Sequence, residues 1–228
     1  MNYNIEDIKN FVRTFELDSE GFFTENEVYP FINSIDRSIV PNFCWETGAT
    51  KLVIIPIDTD YVIKIPFNAN VDYFEFTGTL YSKDNKDNYC EEEIEIYNLA
   101  KTHHYQDFFL PIEHVYSTEL DNYPIYIQEK AISFIDTNEA DRENSYDMIK
   151  QIEIKNIRSA PRFNQEAGLI YSLPVDWLAS CLTILNDINK LINFLMFLID
   201  YDITDLHRMN IGYIDNMPII IDYGGFNE

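Results

Sequence analysis

Residues 205–228 read DLHRMNIGYIDNMPIIIDYGGFNE. Two short apolar runs, Ile211–Ile214 and Met217–Ile221, flank the dipeptide Asp215-Asn216. This dipeptide is suited to a two-residue turn, and apolar runs on both sides of such a turn are typical of a β-hairpin. We therefore expect two antiparallel strands joined at Asp215-Asn216.

The turn fixes the pairing of these strands and places polar side chains at one end of the hairpin. Asn210 then lies opposite Ile221 and diagonal to Asp222, with Cα atoms about 5–8 Å apart. Asp205, five residues before Asn210, can loop back to the same point. An amide oxygen and two carboxylates are ligands that magnesium prefers, so the pattern predicts a magnesium-phosphate site. The alternative is an ordinary acidic hairpin.

The same segment resembles the catalytic loop and the metal-binding element of protein-kinase-like and aminoglycoside-phosphotransferase-like proteins. The resemblance lies in Asp205-Leu206-His207-x-x-Asn210 and in Ile221-Asp222-Tyr223-Gly224. It implies that Asp205 is the catalytic base that orients an acceptor hydroxyl, and that Asn210 and Asp222 hold magnesium. The implied cofactors are ATP and Mg. The wider pattern also resembles small kinase-like proteins of bacterial viruses and mobile elements.

The segment departs from this family at two points. Ile203 and Thr204 stand where many kinases have His-Arg or His-Gly. The sequence also ends six residues after Asp222, which leaves nothing for an activation segment or for helices that dock peptide substrates. We therefore expect a reduced helical C-lobe, and a protein partner is one means of completing it.

The composition narrows the classes of partner. A net charge of −23 and a pI near 4.3 argue against nucleic-acid and anionic membrane surfaces, because both are polyanions. A nucleotide is an anion as well, so an ATP site in this chain needs concentrated cations and a metal. Hydrophobic residues make up 46% of the sequence, which predicts a globular protein.

The cysteines and the N-terminus predict a cytoplasmic protein, and the resemblance to proteins of bacterial viruses and mobile elements implies a bacterial or virus-infected host cytosol. Cys44, Cys90 and Cys181 are odd in number and far apart, which favours reduced thiols. Met1–Asp7 has neither the basic start nor the apolar run of a signal peptide. The most apolar stretch, Leu191–Ile199, is too short to cross a bilayer.

Residues 1–41 are predicted to form a helical N-terminal extension. Apolar periodicity indicates helices over Asn4–Phe15 and Glu25–Ile35. Positions 1, 3, 5, 6, 9 and 12 of an EF-hand calcium loop are matched by Glu16, Asp18, Glu20, Gly21, Thr24 and Glu27. The calcium site stays open as an alternative to two capped helices joined by an acidic turn.

Residues 42–131 are predicted to form a kinase-like N-lobe. Its first three strands are predicted at Asn42–Glu46, Lys51–Ile57 and Tyr61–Pro66. The turn at Gly48 resembles the phosphate-covering loop of kinases, although it has one glycine in place of three. The backbone amides of Gly48, Ala49 and Thr50, and the ammonium group of Lys51, are therefore candidates for contacting phosphates.

Lys64 is a single lysine in an apolar strand, and an acidic helix start follows it near Cys90. This order resembles the kinase strand lysine that contacts the α- and β-phosphates and the helix glutamate that pairs with it. The resemblance implies an ion pair between Lys64 and Glu93, with Glu92 as the second choice. The alternatives are an exposed strand lysine and a solvated acidic helix start.

Three further segments complete the N-lobe prediction. Strands are expected at Phe108–Tyr116 and Tyr123–Lys130, with a possible additional strand at Tyr73–Thr77. Gln128–Ala131 matches the family's hinge, whose backbone binds adenine, and Glu129 and Ala131 are the candidates there.

Residues 132–228 are predicted to form the truncated C-lobe. Helices are expected near Tyr146–Ile157 and over Val175–Asp200, where apolar residues recur at helical spacing. The predicted fold class is α+β, and the resemblance implies a two-lobed protein-kinase-like fold with a five-stranded antiparallel N-lobe and a reduced helical C-lobe that lacks the segment after the metal-binding Asp.

Three functions are compatible with this fold, because a fold does not determine an activity. The first is a kinase-like phosphotransferase that uses Mg-ATP on an unidentified hydroxyl acceptor. The second is a nucleotide-binding pseudokinase that acts as a regulatory or partner-binding module. The third is an acidic decoy that mimics the charge of DNA, which we rank last because the site residues look intact.

Overall fold

The computed structural model describes residues 3–13, 30, 32–33, 42–47, 51–66, 71–74, 80–83, 89–117, 124–134, 173–203 and 205–224. Within these residues the protein has α+β architecture, as predicted, with four α-helices and a five-stranded antiparallel sheet. The helices are α1 (Ile5–Arg13), α2 (Tyr89–Thr102), α3 (Val175–Leu185) and α4 (Ile188–Asp200). None of the described helices is long and apolar enough to cross a membrane.

Ten strands form three sheets in the described residues. The strands are β1 (Phe43–Thr47), β2 (Lys51–Pro56), β3 (Tyr61–Pro66), β4 (Val71–Phe74), β5 (Leu80–Lys83), β6 (Ile112–Ser117), β7 (Pro124–Glu129), β8 (Ile132–Ser133), β9 (Ile211–Ile214) and β10 (Met217–Ile220). The sheet orders are β1-β2-β3-β7-β6, β10-β9-β8 and β4-β5. The first of these is the predicted five-stranded sheet.

The chain divides into two compact units. The first contains Met1–Ile94 and Pro111–Lys130, and the second contains Glu95–Leu110 and Ala131–Glu228. Glu95–Leu110 therefore groups with the second unit, whereas the sequence-based division places it in residues 42–131.

In the first unit, one face of the five-stranded sheet forms an apolar core with α1. Strand alternation directs Leu52, Ile54, Ile63, Ile65, Ile125 and Ile127 to this face, and each is fully buried. Helix α1 presents Ile8, Phe11 and Val12 to the same core, at the spacing of one helix face. The predicted N-terminal helix is confirmed and is part of the core of this unit.

In the second unit, α3 and α4 pack around a largely aromatic and aliphatic core. The rings of Phe109, Phe194, Phe197 and Tyr223 meet edge to face at centroid distances of 5.1–6.4 Å. The Tyr223 hydroxyl donates a hydrogen bond to the Leu110 carbonyl at 2.7 Å. These contacts place the chain that follows β10 against the core of the unit.

The prediction of one helix over Val175–Asp200 is wrong. Asn186 ends α3 in the left-handed conformation, at φ 49°, and its amide donates to the Leu182 carbonyl. Asp187 then begins α4 by accepting a hydrogen bond from the Asn189 amide at 2.7 Å. Asparagine tolerates the left-handed region and aspartate is a favoured N-cap, so this dipeptide interrupts an otherwise continuous apolar stripe.

Two predicted strands also require correction. The first half of Phe108–Tyr116 is not a strand of the five-stranded sheet: a short 3₁₀ turn, Gln106–Phe108, is followed by a bridge between Phe109 and Ile220. Pro111 precedes β6, and proline donates no ladder hydrogen bond. The possible strand at Tyr73–Thr77 begins earlier, as β4, and pairs with β5, which was not predicted.

Several predictions fall wholly or largely outside the described residues. These are the acidic loop at 16–27, the helix at Tyr146–Ile157, the turn residues Gly48, Ala49 and Thr50, and most of the helix at Glu25–Ile35. They remain predictions.

Candidate functional site

Lys64 lies in β3 and its side chain is buried. Its neighbours across the sheet are Val53 on β2 and Tyr126 on β7. Lys64 is 2% exposed, and its Nζ is 2.8 Å from Oε2 of Glu93, which is fully buried. The predicted ion pair is therefore confirmed, and the glutamate is Glu93 rather than Glu92. Buried lysine and glutamate require such pairing, because an isolated buried charge is very costly.

Lys51 contacts the same carboxylate, which the sequence reasoning missed. Lys51 is the first residue of β2, and its Nζ forms a salt bridge with Glu93 Oε1. The register pairs Val53 with Lys64, so Lys51 lies two residues along on the same face of the sheet. The pairing of β2 with β3, combined with strand alternation, is the signal that could have revealed this contact.

The result is a buried cluster of two ammonium groups and one carboxylate, Lys51–Glu93–Lys64. Each carboxylate oxygen contacts one lysine, and the three side chains are at most 3% exposed. Charge-assisted hydrogen bonds of this kind are stronger than neutral ones. The cluster fixes both ammonium groups beside each other on one face of the sheet.

The start of α2 makes a second polar contact with this face. The Tyr126 hydroxyl donates a hydrogen bond to Oε1 of Glu91. Tyr126 neighbours Lys64 on the adjacent strand, and Glu91 is two residues before Glu93. Acidic residues are also favoured in the first turn of a helix, where they face the positive end of its dipole. Glu91 and Glu93 of α2 therefore both contact side chains on one face of the sheet.

In the second unit, the hairpin of β9 and β10 has the predicted register. Asp215 and Asn216 have φ angles of 49° and 66°, as a two-residue turn of this kind requires. At the other end, the amides of Ile221 and Asp222 donate to the Asn210 carbonyl at 2.8 and 3.3 Å. The predicted proximity of Asn210 to Asp222 is confirmed for the backbone.

The loop before β9 brings Asp205 to Asn210, as the sequence predicted. The Asn210 side-chain amide donates to the Asp205 carbonyl at 2.7 Å and lies 3.4 Å from Asp205 Oδ2. Because both acceptors are oxygens, they orient the amide nitrogen towards Asp205 and direct the amide oxygen away from it. The Asp205 side chain is 41% exposed. A carboxylate with this exposure is accessible to a solute.

His207 is a further neighbour of Asp205. Its Nε2 is 3.6 Å from Asp205 Oδ1, which is beyond hydrogen-bond distance. Its Nδ1 accepts a hydrogen bond from the Met209 amide at 3.2 Å. With Nδ1 on the Met209 amide, Nε2 is the ring nitrogen that faces Asp205.

Gly212 has a structural role in the same hairpin. A Cβ atom at this position would overlap the backbone carbonyl of Ile132 in β8 and would lie 2.7 Å from Cδ1 of Ile221. Only glycine lets β8 approach β9 so closely. The glycine that follows Asn210-Ile211 in the quoted motif therefore maintains the sheet beside the candidate metal ligands.

The candidate adenine-binding residues occupy two different units. Glu129 ends β7 in the first unit, and Ala131 precedes β8 in the second, since the division falls after Lys130. Both residues are half-buried. Lys130 is held by its ammonium group, which donates to the carbonyls of Pro56 and Thr59 at 2.9 and 3.2 Å.

The described residues contain no group of three or more His, Cys, Asp or Glu side chains suited to hold a metal. The candidate magnesium ligands are instead one amide and one carboxylate, Asn210 and Asp222. Mg²⁺ commonly takes one or two protein ligands and completes its shell with water and substrate phosphates. This donor set therefore fits magnesium bound together with a phosphate ligand.

No protein-family model matches the chain, and no curated protein sequence matches it.

Proposed function

We propose that the protein has a two-lobed kinase-like fold and is a phosphotransferase that uses Mg-ATP on a hydroxyl acceptor. The observation that carries this proposal is the buried ion pair between Lys64 of β3 and Glu93 of α2. Kinase-like enzymes use a strand lysine and a helix glutamate in this way to position the lysine at the nucleotide phosphates. An exposed lysine and a solvated helix start, the two alternatives, do not account for a pair that is 97% or more buried.

The remaining candidate residues supply the other requirements of phosphoryl transfer. The reaction needs little covalent chemistry from the protein; it needs in-line positioning and neutralisation of developing charge. Lys64 binds the phosphates, and Asn210 and Asp222 are the ligands that would hold magnesium. Magnesium, when bound, neutralises charge on the phosphate oxygens. Asp205 orients the acceptor hydroxyl and takes up its proton.

Metal-dependent nucleotide binding is the first test. The net charge of −23 repels a bare triphosphate, so a metal is needed to bridge it to the protein. We expect micromolar to millimolar affinity for Mg-ATP, about −4 to −8 kcal/mol. Calorimetry in a magnesium series and in chelator measures this. Equal affinity in both conditions would remove the metal from the proposal.

Two substitutions separate metal binding from acceptor activation. Asp222→Asn should weaken Mg-ATP binding, because a neutral amide is a poorer ligand for a hard dication. Asp205→Asn should leave binding nearly unchanged and lower transfer by about 10²–10⁴-fold, the usual contribution of a general base. Asp215→Asn is the matched control, since Asp215 is an exposed turn residue of the same hairpin and asparagine tolerates its positive φ.

The second candidate is a nucleotide-binding pseudokinase that regulates or binds a partner. The observation that favours it is Ile203, which stands where many kinases have a polar residue and is 1% exposed in the core of the second unit. Transfer of labelled phosphate from ATP distinguishes the two functions, with the protein alone and with host extract. If wild-type protein binds Mg-ATP but transfers no more phosphate than Asp205→Asn in either condition, the binding module is the correct function.

A further inference from the structure

We propose that His207 is a positioning residue for Asp205, and that it holds the carboxylate in the orientation that phosphoryl transfer requires. The inference deepens the proposed function and rests on it for the role of Asp205 as the general base. In that reaction the acceptor oxygen bonds to the γ-phosphorus of ATP, the bond from this phosphorus to the bridging oxygen of ADP breaks, and Asp205 takes the hydroxyl proton. His207 acts on this step through Asp205.

The two oxygens of the Asp205 carboxylate face two different side chains of one loop. Oδ1 lies 3.6 Å from Nε2 of His207, and Oδ2 lies 3.4 Å from the side-chain nitrogen of Asn210. The carboxylate therefore has a nitrogen on each side. Rotation about the side-chain bonds of Asp205 would move it away from at least one of these nitrogens.

The imidazole ring is itself held in place by the backbone. The Met209 amide donates a hydrogen bond to Nδ1 at 3.2 Å, and the His207 carbonyl accepts one from the Asn210 amide at 2.9 Å. These contacts fix both the ring and the residue that carries it, with Nε2 towards Asp205. Functional groups are kept in a productive geometry by neighbours whose own orientation is locked in this way.

Stability does not account for this arrangement. The side chains of His207 and Asp205 are 48% and 41% exposed, and contacts between exposed charged groups contribute little to the stability of a fold. The same exposure leaves the carboxylate accessible to an acceptor. The distance of 3.6 Å is longer than a hydrogen bond, and such contacts of catalytic groups often shorten only when substrate is bound. A base that is oriented by a neighbouring side chain is a common arrangement for proton transfer.

Two substitutions separate positioning of Asp205 from a structural role of the ring. Asparagine places an oxygen near the position of Nδ1, so His207→Asn keeps an acceptor for the Met209 amide and removes the group that faces Asp205. Glutamine places its amide nitrogen near the position of Nε2, so His207→Gln keeps a nitrogen beside the carboxylate. We expect kcat for phosphate transfer to fall by about 10–100-fold in His207→Asn and to stay within a few-fold of wild type in His207→Gln. The KM for Mg-ATP should stay within a few-fold of wild type in both variants.

Met209→Ala is the matched control, because its side chain is 65% exposed in the same loop and alanine retains the backbone amide. Its kcat and KM should equal those of wild type. Wild-type kcat in His207→Asn, or equal losses in His207→Asn and His207→Gln, would overturn the inference and leave the proposed function intact. A raised KM for Mg-ATP with unchanged kcat would overturn it as well, since His207 would then act in nucleotide binding.

A second measurement does not depend on phosphate transfer. Three-bond couplings between the Hα and Hβ protons of Asp205, measured by NMR, report the χ1 angle of its side chain. We expect one preferred rotamer in wild type and in His207→Gln, and averaging among rotamers in His207→Asn. Identical couplings in wild type and His207→Asn would refute the positioning. If the couplings differ as expected but wild type transfers no phosphate, the transferase function is wrong and the positioning of Asp205 by His207 stands.

Discussion

Replacement of Glu93 with glutamine should be among the most destabilising conservative changes in the first unit. The side chain is fully buried and is the shared partner of Lys51 and Lys64. Glutamine keeps the shape but removes the charge, so two ammonium groups remain buried beside a neutral amide. Removal of one partner from a buried ion pair typically costs about 3–5 kcal/mol. At about 2–4 °C per kcal/mol for a chain of this size, the melting temperature should fall by at least about 6 °C.

The structure also predicts an order among the three substitutions. Lys51→Met or Lys64→Met leaves Glu93 with one of its two lysines. Glu93→Gln leaves two like charges without their shared carboxylate. The loss of unfolding free energy should therefore be larger for Glu93→Gln than for either lysine substitution. Since the two lysines share one partner, their effects should also be non-additive in a double-mutant cycle.

Urea denaturation followed by circular dichroism measures these differences, with Glu95→Gln as the matched control. Glu95 is an exposed glutamate two residues further along α2, so its substitution removes the same charge from the same helix. A surface substitution of this kind should change the unfolding free energy by no more than about 0.5 kcal/mol. If Glu93→Gln costs no more than Glu95→Gln, or less than either lysine substitution, the shared-carboxylate geometry is wrong.

Two further predictions concern the hairpin and the thiols. Gly212→Ala should lower the unfolding free energy by about 1–3 kcal/mol through overpacking against β8, measured by urea denaturation; an unchanged midpoint would contradict the close approach. At pH 8, Cys44, which is exposed, should react readily with a thiol reagent, while the buried Cys90 and Cys181 should react only on unfolding. Burial raises the pKa of the Cys181 thiol, so its thiolate fraction at that pH is smaller than that of an ordinary cysteine. Mass spectrometry of the labelled peptides measures the order, and early labelling of Cys181 would contradict it.

The hairpin was predictable because its determinants are local. A two-residue turn at Asp215-Asn216 fixes the register, and the register fixes which residues meet at the other end. The backbone contact of Asn210 with Asp222 followed from that geometry alone. The same local reasoning identified the edges of β2 and β3 to within one residue.

The partner of Lys51 could not be read from local pattern, since it depends on the pairing of two strands and on the phase of a helix. Sequence alone assigned Lys51 to phosphate contact through its position after Gly48, and it left Glu92 and Glu93 as alternatives. Helix α2 directs Glu93 to the sheet, where it is fully buried, while Glu92 is only half-buried. Packing of α2 on the sheet decides between these neighbours.

The break between α3 and α4 shows that apolar periodicity alone can miss the end of a helix. The apolar stripe continues in phase from Leu182 to Ile192, so the pattern alone predicts an unbroken helix. Asn186 and Asp187 carry the information about the break, through the left-handed conformation of the first and the capping hydrogen bond of the second. Attention to capping residues inside a periodic segment would have detected it.

The two faces of the five-stranded sheet have different kinds of buried side chain. One face is an apolar core of isoleucines and a leucine that packs with α1. The other face has Lys51, Lys64 and Tyr126 buried and joined to the acidic start of α2. Apolar residues in place of a buried ion cluster are often neutral or stabilising, so stability alone does not account for these charges.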